Sequence, residues 1–285
     1  MNKNFLKLGI PLTILVFIFI AEVNALSKVP ETAPLKPFRV LVLIGDQWED
    51  PASYMVTKPE PTGEYSGYHN RHEVAGPVDF HHLMVLLKSW AIPFDVIRLD
   101  QQFLDRYMFL DIHGNPKYGT IIWDVNQSNK LLHPDYSIIK EMVQDYGIGI
   151  IALSDRIFPP EIQSVLGLKC AGSWESNTKM KVVSDHFLTK GLNSPFKVDD
   201  DISPNYGSGV HIKRQQVEVL DGTVTLVKQG SYPQVTAKVF TSGARAVWIG
   251  NDHNNMFYFQ DIRILLRRAI TWTIGYNLYK TWVNF

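Results

Sequence analysis

The chain has 285 residues, with 28 Lys+Arg against 28 Asp+Glu and a formal net charge of zero. That balance argues against nucleic acid or an anionic membrane surface as the main partner, and the length allows one large or two small domains with ample core. A single cysteine, Cys170, excludes any intramolecular disulfide, so stability must come from packing.

The N-terminus reads as a targeting segment. Lys3 and Lys7 precede an apolar run over 8–21 that is short for a membrane span, and Val23-Asn24-Ala25 fits a small-residue cleavage site. Residues 1–25 are expected to be a signal peptide cleaved after Ala25. The protein is then exported, periplasmic or secreted, with no membrane span left after cleavage. A Pro-rich lead-in, 26–37, follows, and 38–285 reads as one domain.

The first strand lies within 38–45, where Val40, Leu41, Val42, Leu43 and Ile44 form an apolar run without alternation. Such a run suits a strand buried on both faces of a parallel sheet. It stops at Gly45 and gives way to Asp46, Gln47, Trp48, Glu49 and Asp50. A long loop over 46–77, rich in Pro, Gly, Tyr and His, comes next; loops of this length are commonly functional. Phe80, Leu83, Met84, Leu87 and Trp90 recur at helical spacing, predicting a helix over 78–91 that Pro93 closes. Residues 94–99 form the second strand, 101–107 a short helix, and 111–116 a turn. The third strand, 119–123, ends at Asp124. A helix over 133–146, with Pro134 in its first turn, leads through Gly147 to the fourth strand, 148–153, which ends at Ser154-Asp155-Arg156. A short helix over 160–166 follows.

This alternation implies βαβ units around a parallel sheet. The rhythm then changes. Residues 179–183, 217–220, 223–228, 235–240 and 244–249 read as strands joined by tight turns, with Asp221-Gly222 as a hairpin signal. The last strand runs into Gly250, Asn251, Asp252 and His253, and a helix over 257–279 closes the chain, with Ile262, Leu265, Leu266, Ala269, Ile270 and Thr273 as its buried stripe. The expected fold is α/β and flavodoxin-like: a mostly parallel sheet with helices on both faces and a β-rich extension over about 179–250.

Four stretches, VLVLIGD at strand one, YGTIIWD at strand three, YGIGIIALSD at strand four and ARAVWIGNDH at the last strand, together with HFLTKGL at 186–192, resemble the class I glutamine amidotransferase-like superfamily. The nearest branches look like the trehalose-utilisation-type proteins and sugar-enzyme accessory domains. The resemblance implies the flavodoxin-like fold over roughly 38–279. It also implies where a glutaminase triad would stand, and there the chain departs. The turn after strand four reads Leu153-Ser154-Asp155, without a cysteine, and His253 is followed by Asn254-Asn255 rather than by a glutamate two residues on. Thiolate attack needs a thiol and an oriented base, so glutaminase activity is not expected.

Ligands of open α/β sheets bind outside the carboxyl ends of the strands. Asp46, Trp48, Glu49, Asp124, Ser154, Asp155, Arg156, Asn251, Asp252 and His253 follow four such strand ends and are expected to surround one crevice. Carboxylates with an Arg, a His and a Trp face suit a carbohydrate, whose hydroxyls they can hydrogen-bond and whose apolar face a ring can cover. The competing role of single Asp and Asn residues is helix capping and turn formation. A Ser154–His253–Asp arrangement lacks the Gly-x-Ser-x-Gly elbow. His69 and His72, with His81 and His82 nearby, lack a helix-borne zinc pattern and read as surface histidines. No metal and no cofactor are expected. The sequence therefore supports an exported, non-catalytic amidotransferase-like domain that binds a carbohydrate or supports a glycan-processing partner. The alternative is a glycan hydrolase that uses a carboxylate pair in the same crevice.

Overall fold

The computed structural model describes residues 36–44, 83–99, 101–125, 135–153, 159–175, 179–197, 213–250 and 260–275. Strand β1, Val40–Ile44, is buried at every position. It pairs in parallel with β2, Phe94–Arg98, on one side and with β3, Thr120–Asp124, on the other. Strand β4, Gly149–Leu153, lies beside β3. The whole nine-stranded order is β2-β1-β3-β4-β11-β10-β9-β6-β7. Strand β11, Arg245–Ile249, comes from the far end of the chain and docks parallel to β4. The first five strands of that order reproduce the 2-1-3-4-5 arrangement of flavodoxin-like sheets. The continuous apolar runs of β1, β3, β4 and β11 mark the strands with both faces covered: each is buried at all five positions.

Alternate residues of each strand feed two cores. Val40, Val42, Ile44, Ile122, Ile151 and Val247 pack with Leu83 and Leu87 of helix α1, residues 83–89, and with Ile262, Leu265 and Leu266 of the long C-terminal helix. Leu41, Leu43, Ile121 and Trp123 face the other way. They meet Phe109 of α2, Arg106–Phe109; Ile139, Met142 and Val143 of α3, Ser137–Gln144; and Ile162 and Val165 of α4, Pro160–Leu166. The C-terminal helix is α5, Gln260–Ile274. Helices thus cover both faces, as the alternating pattern implied. Among the described residues no helix is long and apolar enough to cross a membrane.

The remaining four strands of the sheet are antiparallel: β10, Tyr232–Val239; β9, Thr223–Gln229; β6, Lys179–Val182; and the two-residue β7, Phe196–Lys197. Three local expectations need correction. The short helix expected over 101–107 starts later, because the Asp105 carboxylate accepts the Tyr107 N–H at 2.7 Å and fixes the N-cap there. A strand that the pattern did not show, β5, Leu168–Glu175, pairs with β8, Lys213–Val219, in a separate two-stranded ribbon. Asp221-Gly222 does make a tight turn, with Gly222 at φ 76° and the Thr223 N–H donating to the Leu220 carbonyl at 3.1 Å. It is not a hairpin. β8 pairs with β5 and β9 with β10 and β6, so the turn carries the chain from one sheet to the other.

Candidate functional site

In a sheet of this order the connection after β1 runs to β2 on one side, and the connection after β3 runs to β4 on the other. The switch point therefore lies between β1 and β3, and sheets of this kind bind ligands there, outside the carboxyl ends of the strands. The register aligns those ends. Ile44 stands opposite Asp124, Trp123 opposite Ala152, and Leu153 opposite Ile249. β1, β3, β4 and β11 therefore finish side by side on one edge, as the sequence argument required of their strand ends.

Of the ten candidate residues, Asp124 is the one the structure describes. It is the last residue of β3 and is 2 % exposed, a buried carboxylate at the switch point. Asp46, Trp48, Glu49, Ser154, Asp155, Arg156, Asn251, Asp252 and His253 lie outside the described residues, as do His69, His72, His81 and His82. Among the described residues no group of His, Cys, Asp and Glu could hold a metal ion.

The same edge contains groups that periodicity did not single out. Gln234 on β10 sits opposite Gly250, whose N–H donates to the Gln234 carbonyl at 2.7 Å. The Gln234 side chain is fully buried. Its Nε2 donates to the Pro233 carbonyl at 2.7 Å, and its Oε1 has no hydrogen-bond partner among the described residues. A buried amide oxygen of this kind is costly unless something satisfies it. The signal in sequence was a long polar side chain interrupting the apolar strand Tyr232–Val239. Gly250 is needed where it stands: a Cβ there would lie 2.2 Å from the Trp248 ring, which folds over the strand end. Trp123, one residue before Asp124, packs edge-on against Tyr136 at 5.4 Å, and its indole N–H has no acceptor among the described residues.

The strongly perturbed basic groups gather at the opposite edge, around the end of α5. Arg245 opens β11 and is 4 % exposed. Its Nη1 donates to the Trp272 carbonyl at 2.8 Å and its guanidinium lies 5.0 Å from the centre of the Trp272 ring. Burial pulls it down to about 10. Burial, then the charge of Arg245, pushes the Lys36 ammonium down to about 8; its Nζ donates to the Gly243 carbonyl. His186 packs edge-on against Trp272 at 5.1 Å, and burial followed by Arg245 lowers it to about 4. A cation beside the last carbonyls of a helix complements its dipole, so Arg245 on the Trp272 carbonyl ties the end of α5 to β11, with the neutral His186 ring packed against the same Trp272.

Cys170 is also remote from the crevice. At the end of α4 the Ser164 carbonyl accepts from Lys238 Nζ, and Lys238 pairs with Ala246 near the start of β11. β5 begins there, with Leu168 opposite Val219, and Cys170 follows two residues on. The chain's one thiol thus lies toward the amino edge, while β4 ends at the carboxyl edge beside β3 and β11.

Comparison with known proteins bears on this arrangement. No family model matches the chain, and no curated protein sequence matches it. Solved structures do. A cytoplasmic protein from Salmonella typhimurium superposes with a TM-score of 0.53 at 11% identity, over 82% of this chain and 98% of that one. A ThuA-like protein from Parabacteroides merdae gives 0.52 at 14% identity, over 84% and 90%. A GMP synthase-type protein from Thermoplasma acidophilum gives 0.51 at 11% identity, over 86% and 98%. The sheet order, with helices on both faces, defines a flavodoxin-like α/β protein. Within that class, the chain has the class I glutamine amidotransferase-like fold, extended by antiparallel strands. At these identities the likeness is one of fold.

Proposed function

We propose that the chain is an exported, non-catalytic amidotransferase-like domain that binds a carbohydrate, or supports a glycan-processing partner, through the crevice at the carboxyl edge. One observation carries the reading. β4 occupies the place from which this fold presents a nucleophile, and its carboxyl end runs into Ser154, while the only thiol lies on β5 toward the other edge. A crevice without the thiol keeps its binding chemistry. Asp124 places a carboxylate at the switch point, and the buried Gln234 amide oxygen, without a partner among the described residues, is an acceptor suited to a hydroxyl donor. Trp48, in the polar stretch after β1, is the ring suited to cover a sugar face.

A glycan array and a hydrolysis assay on the same preparation test the proposal. Binding without turnover, weakened at least tenfold by Asp124→Asn with the melting temperature retained, is the expected result. Release of reducing ends, abolished by the same substitution, would replace the proposal with hydrolysis by a carboxylate pair. Turnover of glutamine would overturn both.

A further inference from the structure

Six large hydrophobic residues are prominently exposed among the described residues, and three of them, Phe103, Tyr107 and Ile112, fall within ten positions of each other. They are 65%, 77% and 92% exposed, respectively. Tyr107 and Ile112 line an open depression of about 470 Å³ on the outside of the α2–α3 layer, with Leu104, Asp105, Asp111 and Tyr146. The depression belongs to the β2 side of the helical face, since Leu104, Phe109 and Leu110 below it are part of the core shared with Leu41 and Leu43. It sits toward the amino edge of the sheet: the Phe109 carbonyl below it accepts the N–H of Lys117, shortly before β3, and Tyr146 shortly precedes β4.

We propose that this depression is a second glycan-binding surface, with Tyr107 as its stacking platform. Its polar groups select the ligand class. Among the described lining residues the one cation, Arg106, is paired with Glu141, and the neighbouring Lys117 ammonium donates to the Tyr107 carbonyl, so neither is directed at an anion in the depression. The carboxylates do not suit a metal or an ammonium group either. Asp111 accepts the His113 and Asn115 N–H groups on Oδ1 and the Asn115 amide on Oδ2. Asp105 spends Oδ1 on the Tyr107 N–H. Among the described groups that leaves Asp105 Oδ2 and the tyrosine hydroxyls, beside exposed ring and aliphatic faces. A neutral polyol with hydroxyl donors and an apolar C–H face matches that set. A protein partner would need a larger, unbroken apolar patch. Tyr107 is held in place for the role: Asp105 caps its helix, and Lys117 Nζ donates to its backbone carbonyl at 2.5 Å.

Native affinity electrophoresis in gels containing soluble β-glucan, xylan or galactomannan tests this surface. The whole protein is expected to be retarded in at least one of them. Tyr107→Ala should weaken that retardation at least tenfold without shifting the melting temperature, because the ring is exposed, and Tyr107→Trp should restore it. Asp124→Asn should leave the Tyr107-dependent part intact, which separates this surface from the crevice. Free mobility in all three gels would overturn the proposal, as would retardation that Tyr107→Ala does not change. A concentration-dependent dimer abolished by Ile112→Asp would reassign the patch to a protein interface.

Discussion

Acidification tests the packing around His186 directly. Its Nδ1 accepts the Leu188 N–H at 3.2 Å, so the ring is held neutral with the proton on Nε2. Trp272 packs against it and the buried Arg245 repels a second charge; only the exposed Asp185 pulls the other way. The ordinary value of 6.5 falls to about 4. Between these values the unfolded chain binds a proton that the folded chain refuses, so stability declines as pH falls from 6.5 toward 4 and levels off below. At ~1.36 kcal/mol per pH unit the ceiling is ~3.4 kcal/mol. Partial solvent access reduces the expected loss by pH 4.5 to about 2 kcal/mol. Urea unfolding midpoints from pH 7.5 to 4.5 measure it. Carboxylates elsewhere also titrate, so the comparison is with His186→Asn, whose amide oxygen can accept the Leu188 N–H but cannot ionise. The parent should lose about 2 kcal/mol more than the variant over that range. Parallel pH profiles would show that His186 is not buried against Trp272 as described.

Two further outcomes follow from the sequence and packing. At Gly149 an added Cβ would lie 2.5 Å from the Thr273 carbonyl oxygen and 2.9 Å from its carbonyl carbon, both backbone atoms of α5; Gly149→Ala is expected to cost about 3 kcal/mol by overpacking. A loss below about 1 kcal/mol in urea unfolding would mean that α5 rides more loosely on β4. Mass spectrometry of protein recovered from the periplasm or medium should give Leu26 as the first residue, and an intact Met1 in the cytoplasm would overturn export.

The parallel half was legible because its signal is local. Runs such as VLVLI and GIIAL have no polar face to hide, so both faces must be covered, and α3 and α5 announce their inner stripes at helical spacing. The ribbon of β5 and β8 was illegible for the converse reason. Lys213-Arg-Gln-Gln and Cys-Ala-Gly lack alternation, and a two-stranded ribbon requires little burial to pair. Asp221-Gly222 fixed the bend but not the partner, because turn chemistry is decided by four residues and strand pairing by the whole sheet. At the site, Asp124 could be placed from the apolar run before it. Gln234 could not, since its position depends on β11 returning from far beyond β4 in the chain to lie between β4 and β10.

That insertion also orders the events of folding. Among the described strands β11 is the only link between the parallel and antiparallel halves of the sheet, and it is the last of them in the chain. Until β11 is in place, β4 and β10 both present unpaired edges, so the sheet cannot become continuous before its last strand arrives. Closing it requires β11 to pair with β4 across the whole antiparallel part of the chain, a non-local contact that favours slow, late consolidation. Shortening the chain before Arg245 leaves two unfinished sheets and two sticky edges, rather than a smaller version of the same protein.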